Sequence, residues 1–300
     1  MNMELLDSRM WEEAWKTDPT TFGNRMKKAG FDPTHALDHQ AKEFDRQAFN
    51  EEGVRRKERI IGWLEDQGVS FQGASVLDVG AASGGFSIPF AERGAEVTAV
   101  EPCVPLANLL QENAGKLKSG HVRLVRDTFE AIDLDAAGWR NAFDIVFASM
   151  CPTVTDWQSV ENLISCARRY CYISLAAGGH EHGLVDEIWP LVTNKQRDPD
   201  HSEMIYLLQL LYLKGYAYAS LITKEMKTTA LTVDAALEEV ITRLSLQQVP
   251  VDEHTRQMVA DYLKRTYPDN KVVFQQGGRF GKVLVLIRDR QMYSRKYQQA

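Results

Sequence analysis

The chain has 300 residues, of which 44% are hydrophobic and 25% are charged. This composition is that of an ordinary globular protein, so the chain can bury a sizeable core and wholesale disorder is disfavoured. The 35 basic and 41 acidic residues give a net charge of -6, which disfavours a dedicated nucleic-acid binder.

The cysteines and the apolar runs bear on compartment and partners. The four cysteines form no CxxC pair, which disfavours a zinc ribbon or a disulfide framework and is typical of a reducing compartment. Residues 1–11 lack the basic start and apolar run of a signal peptide, and no apolar stretch is long enough to cross a bilayer. We therefore expect a cytoplasmic protein without a membrane partner.

Residues 1–70 are predicted to be polar and mostly helical. Asp7 can cap a first helix that carries Met10, Trp11 and Trp15. A longer amphipathic pattern ends at Gly68, with apolar side chains at roughly helical spacing at Ala41, Phe44, Phe49, Val54, Ile60, Ile61 and Leu64. We interpret this region as an N-terminal helical cap.

From residue 74 the predicted strands and helices alternate. The strands are predicted at 74–79, 96–100, 122–125, 143–148 and 170–175. Helical patterns lie between the first and second, the second and third, and the fourth and fifth of these strands. Such alternation predicts a parallel sheet with helices on both faces, because parallel strands need crossover connections.

The alternation loosens after residue 180. An apolar helix is predicted at 203–213, and a sixth strand at 216–222. Two amphipathic helices at 231–244 and 254–267 come before a last strand at 281–288. The predicted fold class is therefore α/β, a doubly wound and mostly parallel seven-stranded sheet. One domain would span residues 71–300, with a helical insertion at about 227–275.

The turn after the first predicted strand, Val76-Leu-Asp-Val-Gly-Ala-Ala-Ser-Gly-Gly-Phe86, has the strongest functional pattern. Its small residues let a ligand approach the backbone at the start of a helix. A dinucleotide motif, GxGxxG, fits only with Ala82 at its second glycine, where the pyrophosphate needs the closest approach. Asp78 would also place a negative charge near two phosphates, so a cationic ligand fits this turn better.

The turn resembles the first motif of the class I methyltransferases that use S-adenosylmethionine (SAM), D-x-G-x-G-x-G. Asp78, Gly80 and Gly84 match this motif, and Ala82 departs from it at the middle glycine. The resemblance implies a Rossmann-like fold with SAM as cofactor. It also implies that Asp78 lies near the charged methionine end of SAM, with the backbone of the turn along that end.

Two acidic residues follow the next strands. Glu101 ends the second strand and can accept hydrogen bonds from both ribose hydroxyls, a role that SAM and NAD sites share. Asp127 ends the third strand, where the family often places an acid on the adenine amino group. We count Thr128, its neighbour, among the cofactor-binding candidates as well.

The fourth strand ends at Ser149, Met150 and Cys151. The resemblance implies that this edge lies beside the transferable methyl group. Ser149 is therefore a cofactor-binding candidate, and Met150 and Cys151 are substrate-binding candidates, although a small buried residue is the simpler interpretation of Cys151. The match to the Asn/Asp-Pro-Pro-aromatic motif of amino-methylating family members is poor, so we do not assign that chemistry.

His39 stands one helical turn after His35 in the predicted cap. As part of a lid this pair could orient a substrate or accept its proton, which makes His39 a further substrate-binding candidate. Solvated histidines on a helix face are the alternative. No third ligand follows at a suggestive spacing, so we predict no metal site.

These patterns predict an enzyme that transfers a methyl group from SAM to a small or medium-sized acceptor. Two alternatives remain, an NAD-linked oxidoreductase that uses the same turn and a SAM-binding module without methyl transfer. A nucleic-acid acceptor is disfavoured by charge. The sequence assigns no catalytic residue and gives neither the acceptor atom nor the oligomeric state.

Overall fold

Seven strands form one sheet in the computed structural model, which describes residues 6–28, 30, 32, 34, 35, 38, 40–194, 203–247 and 249–288. The strands are β1 (Ser75–Val79), β2 (Glu96–Val100), β3 (His121–Val125), β4 (Phe143–Ser149), β5 (Ala167–His182), β6 (Ala217–Leu231) and β7 (Val272–Leu286). Their order across the sheet is β3-β2-β1-β4-β5-β7-β6. The predicted seven-stranded α/β fold is confirmed.

The first five strands pair in parallel, β3 with β2, β2 with β1, β1 with β4, and β4 with β5. The strand order reverses between β1 and β4, because the chain moves outward to β2 and β3 before it returns. In open parallel sheets, ligands bind outside the carboxyl ends of the strands at such a reversal. The strand order therefore makes the end of β1 the expected position of a ligand.

The last strand, β7, runs antiparallel to β5. The amide of Ile287 donates a hydrogen bond to the carbonyl of Arg169 at 3.0 Å, near the start of β5. At the other end, the backbone of Gly183 lies against Gln275. Successive residues of β5 therefore meet β7 in reverse order, and the last strand predicted at 281–288 overlaps the end of β7.

Among the described residues before β1, the structure has four helices, α1 (Ser8–Thr17), α2 (Phe22–Lys28), α3 (Ala41–Phe49) and α4 (Glu51–Asp66). Asp7 caps α1 as predicted, with its side chain accepting from the amide of Arg9. The pattern predicted to run unbroken to Leu64 is two helices instead, because Asn50 caps α4 through the amide of Gly53 at 2.8 Å. A Cβ atom on Gly53 would lie 2.0 Å from the carbonyl oxygen of Gln47, so glycine permits this sharp break.

Three helices connect the parallel strands, α5 (Ser87–Glu92), α6 (Val104–Ala114) and α7 (Trp157–Cys166). Aromatic rings fill the core beneath them. The ring of Phe147 stacks on that of Tyr172, with 4.5 Å between the ring centres, and meets the ring of Phe90 edge to face at 5.0 Å. Asp156 begins α7 in a reciprocal capping box with Ser159. The two side chains thus satisfy each other's backbone amides at the start of the helix.

The chain divides into two compact units. The first comprises Met1–Leu175, Ser202–Leu221 and Gly281–Ala300. It contains α9 (Glu203–Leu213), whose buried Glu203 accepts a hydrogen bond from the amide of Gly23 at 2.7 Å. Tyr206 of α9 stacks on Trp15, and its hydroxyl donates to Asp18 at 2.7 Å. These contacts attach α1 and α2 to α9.

The second unit comprises Ala176–His201 and Ile222–Phe280. Its helices are α8 (Gly183–Val192), α10 (Val233–Leu246) and α11 (Glu253–Thr266), and their apolar side chains form a core with Val272 and Phe274 of β7. The sequence did not predict α8, and it predicted β5, β6 and β7 to be shorter than they are. The predicted insertion at about 227–275 lies inside this unit, and the division at residue 70 stays a prediction.

No helix in the described parts of the chain combines the length and the apolar character that crossing a membrane requires.

Candidate functional site

The turn between β1 and α5 is built from three residues in the left-handed region of backbone conformation. The φ angles are 72° at Gly80, 50° at Ala82 and 89° at Gly84. Glycine reaches this region without a steric penalty, whereas alanine does not. The amides of Gly80 and Ala81 both donate to the carbonyl of Val100 at 3.0 Å, which ties the turn to the end of β2.

Gly80 also lies in close contact with the end of β4. A Cβ atom at this position would be 2.6 Å from Sγ of Cys151, closer than real Cβ contacts come. At Gly84 a Cβ atom would meet Ile88 and Leu110 at 3.2 and 3.3 Å. The matches to the sequence motif at positions 80 and 84 therefore have steric causes in this fold.

Asp78 lies at the carboxyl end of β1 and is 2% exposed. Its Oδ2 accepts a hydrogen bond from Oγ of Ser87, in the first turn of α5, at 2.6 Å. Burial raises the pKa of Asp78 to about 7, and the neighbouring charge of Glu101 acts in the same direction against the Ser87 hydrogen bond. A carboxyl in this state gains most from a ligand that brings positive charge.

Glu101, at the end of β2, is 5% exposed, and its carboxylate accepts hydrogen bonds from two backbone amides. Its Oε2 accepts from the amide of Ala82 at 2.8 Å and its Oε1 from the amide of Cys103 at 2.9 Å. Burial raises its pKa, and the two amides oppose that shift. Each carboxylate oxygen has two lone pairs, so each can still accept a ligand hydroxyl.

Asp127 and Thr128 follow β3 on the same side of the sheet. The amide of Glu101 donates to the carbonyl of Val125 at 3.0 Å, which aligns the ends of β2 and β3. Asp127 is exposed, and its Oδ1 accepts from the amide of Thr128 at 2.8 Å. Asp127 therefore lies in an open environment after β3, and its role at the adenine stays a prediction.

The end of β4 carries the three residues predicted to face the transferable methyl group. Ser149 Oγ lies 3.1 Å from Oγ of Ser174 on β5, a partner that sequence reasoning did not identify. Met150 has a φ of 52° and is 40% exposed, and its amide donates to the carbonyl of Ser174 at 3.0 Å. Cys151 is buried, and desolvation raises the pKa of its thiol to about 11.

The predicted histidine pair lies in a part of the chain that is described only at some positions. His39 lies outside the described residues. His35 is exposed, with its Nδ1 3.1 Å from Oδ2 of Asp38. The other oxygen of Asp38 accepts from Sγ of Cys103 at 3.5 Å, beside the end of β2. Among the described residues, no group of three metal-ligating side chains comes together.

Helix α3 contacts the glycine turn, a contact that the sequence did not predict. Asn113 of α6 donates from one nitrogen to Asp45 at 2.9 Å and to the carbonyl of Ser83 at 3.0 Å. A Cβ atom added to Gly85 would lie 3.4 Å from Cβ of Ala48, so α3 packs against the turn there. Asp45 and Ala48 belong to no recognisable sequence motif, so the sequence alone could not predict these contacts.

A cavity of about 400 Å³ lies beside this contact. Its walls include Asp38 and Lys42 on one side and Asn108 and Glu112 of α6 on the other. Lys57 of α4 is also near the turn, and it is buried, with its Nζ 4.3 Å from the centre of the Phe49 ring. Desolvation lowers the pKa of this lysine.

Residues 76–172 match a family model described as a methyltransferase domain. The match covers about a third of the chain and includes the turn, Glu101, Asp127 and the end of β4. No curated protein matches the chain.

Solved structures give weak matches. Magnesium protoporphyrin IX methyltransferase from Synechocystis PCC 6803, with bound SAM, is 13% identical at a TM-score of 0.41, covering 90% of this chain and 96% of that one. The YcgJ protein from Bacillus subtilis is 14% identical at 0.45, covering 76% and 98%. Phosphoethanolamine N-methyltransferase 2 from Haemonchus contortus is 15% identical at 0.45, covering 89% and 60%. These likenesses are too low to carry an argument about the acceptor.

Proposed function

We propose, from the premise that residues 76–172 are a methyltransferase domain, that this chain transfers a methyl group from SAM to a small or medium-sized acceptor. The other product is S-adenosylhomocysteine. The family model supports the enzyme class that the sequence predicted. It supports neither the oxidoreductase alternative nor the module without catalysis.

The observation that carries the proposal is the pair of buried carboxyls around the glycine turn. Asp78 and Glu101 are 2% and 5% exposed, and each has a pKa raised mainly by burial. Ionising them requires a compensating partner, because a desolvated charge is costly. SAM brings a sulfonium and an ammonium group to such a site, whereas NAD brings two negative phosphates.

We assign the cofactor roles on this geometry. The turn at Gly80, Ala82 and Gly84 would hold the methionine end, with Asp78 beside its ammonium group. Glu101 would accept the ribose hydroxyls with the lone pairs that its two amides leave free. Asp127 and Thr128 would lie at the adenine, and Ser149 would complete the site at the end of β4.

The main requirement of the reaction is that the chain hold the acceptor and SAM in the correct relative position. The sulfonium group supplies an activated methyl, and the acceptor atom has to lie in line with the breaking bond. Holding two reactants in that geometry contributes up to about 7–11 kcal/mol in favourable cases. Met150, Cys151 and His39 are the residues that we place around the acceptor. No residue is assigned as a general base.

The parts of the chain outside the matched domain are where we place acceptor selection. These are the predicted cap at residues 1–70 and the insertion at about 227–275. The four cysteines are all buried and unpaired, which favours a reducing compartment, and we assign the chain to the cytoplasm on that ground.

Calorimetry of the purified chain with SAM, S-adenosylhomocysteine and NAD tests the proposal. We expect both sulfur-containing ligands to bind and NAD to give no heat. Binding of NAD without any response to SAM would refute the assignment. If SAM binds, release of S-adenosylhomocysteine in the presence of pooled small-molecule acceptors separates the enzyme from a binding module.

A further inference from the structure

The strand β6 ends the sheet and is unusually long for an edge. It spans Ala217–Leu231, 15 residues without glycine or proline, and β7 is its neighbour in the strand order. Natural edge strands are commonly short or interrupted, because an exposed edge is a template for pairing with another chain. The stretch from Ile222 onward belongs to the second unit.

The exposure of the side chains alternates from Ile222 to Met226, and Met226, Lys227 and Thr228 are then all exposed. Thr223, Glu225 and Thr229 are partly buried, and Gln276 of β7 donates to Oγ1 of Thr229 at 2.8 Å. The residues between them are exposed, including Ile222 at 42% and Met226 at 37%. The stretch therefore presents exposed apolar side chains at Ile222 and Met226.

The charges on this edge are self-complementary in one register. When two copies of a strand pair antiparallel around a two-fold axis, each pair of opposed residues must lie on the same face of the sheet. The axis therefore passes through a residue position and not between two residues. With the axis at Met226, Glu225 of each copy faces Lys227 of the other. Moving the axis by one residue to Glu225 or to Lys227 places two identical charges opposite each other, which is destabilising.

The same register matches the remaining side chains. Ile222 faces Ala230, Thr223 faces Thr229, Lys224 faces Thr228, and Met226 faces its own counterpart. Apolar pairs and threonine pairs of this kind stabilise neighbouring strands. No pair brings like charges together, although Lys224 and Lys227 both lie on the edge. Lys224 forms an ion pair with Glu181 of β5 at 2.7 Å on its own sheet.

We propose that two copies of this chain associate through β6, antiparallel and with the two-fold axis at Met226. The two sheets then continue into each other, and the opposed Glu225 and Lys227 fix the register. The occupant of the edge is a second copy of the chain, because the complementarity is that of the strand with itself.

Sedimentation of the purified chain at micromolar concentrations tests this proposal. We expect a dimer, and the substitution Lys227→Glu should raise its dissociation constant by about tenfold or more, because two attractive pairs become repulsive. Lys271→Glu, an exposed site in the same unit, makes the same change of net charge and should leave the dimer intact. The exchange Glu225→Lys with Lys227→Glu should restore association. A wild-type chain that sediments as a monomer overturns the proposal.

A cross-linking experiment tests the register independently. Directly opposed Cβ atoms are about 4.5–5.5 Å apart, so Met226→Cys should form an intermolecular disulfide under mild oxidation. Thr228→Cys is the matched control, because two residues at 228 would lie about 13 Å apart along the strands. The four native cysteines are buried. A dimer that is cross-linked at 228 and not at 226, or that Lys227→Glu leaves unchanged, contradicts the proposed interface.

Discussion

Ala82 donates its amide to the carboxylate of Glu101 at 2.8 Å while its own backbone has a φ of 50°. The left-handed conformation aims the amide at the end of β2, and an L-residue adopts it at a cost of about 1–2 kcal/mol. The departure from the glycine motif thus falls where the backbone would favour glycine. The turn keeps its shape because Glu101 and the hydrogen bonds to Val100 hold it.

Ala82→Gly should therefore stabilise the fold. The relief of backbone strain exceeds the entropy that glycine adds to the unfolded chain, so we expect a gain of about 0.5–1 kcal/mol in the free energy of unfolding. Urea denaturation measures it. Ala81→Gly is the control, because Ala81 has no positive φ and should lose about 1 kcal/mol. Equal losses at both positions would contradict the interpretation.

Gly80→Ala should destabilise the chain through Cys151. The new Cβ atom would lie 2.6 Å from Sγ at a φ of 72°, so we expect a loss of about 2–4 kcal/mol in the free energy of unfolding from overpacking and backbone strain together. Removing the sulfur in Gly80→Ala with Cys151→Ala should recover the steric part. If the stability of the double variant equals the sum of the two single effects, the two residues do not interact.

Glu101→Gln should weaken SAM binding. The variant keeps the size of the side chain and loses the charge that would accept the ribose hydroxyls. It also replaces one of the two oxygens that accept the amides of Ala82 and Cys103 with a donor. We expect a loss of about 1–3 kcal/mol in binding free energy, measured by calorimetry. Glu96→Gln, at the opposite end of β2, is the matched control and should bind SAM like the unmodified chain. Unchanged affinity in Glu101→Gln removes the proposed ribose contact.

The raised pKa of Asp78 makes SAM affinity depend on pH. A cationic ligand favours the ionised carboxyl, so affinity should rise with pH, by at most tenfold per unit, and level off above the folded pKa of about 7. Titrations between about pH 5.5 and about pH 8.5, on both sides of that pKa, measure this dependence. Asp78→Asn should bind weakly without that dependence. The same slope in the variant would assign the titration to another group.

The same group changes stability in the opposite direction. Between its ordinary pKa of 3.8 and about 7, the folded chain binds a proton that the unfolded chain has released. The contribution of Asp78 to the free energy of unfolding therefore falls as pH rises through that window and stays constant above it. Comparing Asp78→Asn with the unmodified chain by urea denaturation at both ends of the window isolates this contribution. A difference between the two chains that does not change with pH would contradict it.

The sequence predicted the parallel strands and the acids at their ends, because buried strands and glycine turns are local patterns. It did not predict α8, since Pro190 lies inside that helix and Gly183 opens it. It also ended β6 early, at Ile222, because the polar run that follows lacks the alternation of a half-buried strand. The contact of Asp45 with Asn113 spans 68 residues, and no local pattern contains such a contact.

Glu203 accepts a hydrogen bond from the amide of Gly23, which lies 180 residues earlier in the sequence. A ribosome that adds about 5–20 residues per second needs about 9–36 s to make that stretch. The first helices of the nascent chain therefore emerge long before the partner that fixes them. Their aromatic side chains, Trp11 and Trp15, contact Tyr206 and therefore also wait until α9 has been made. The helices α1 and α2 thus reach their final place only after α9 has been made.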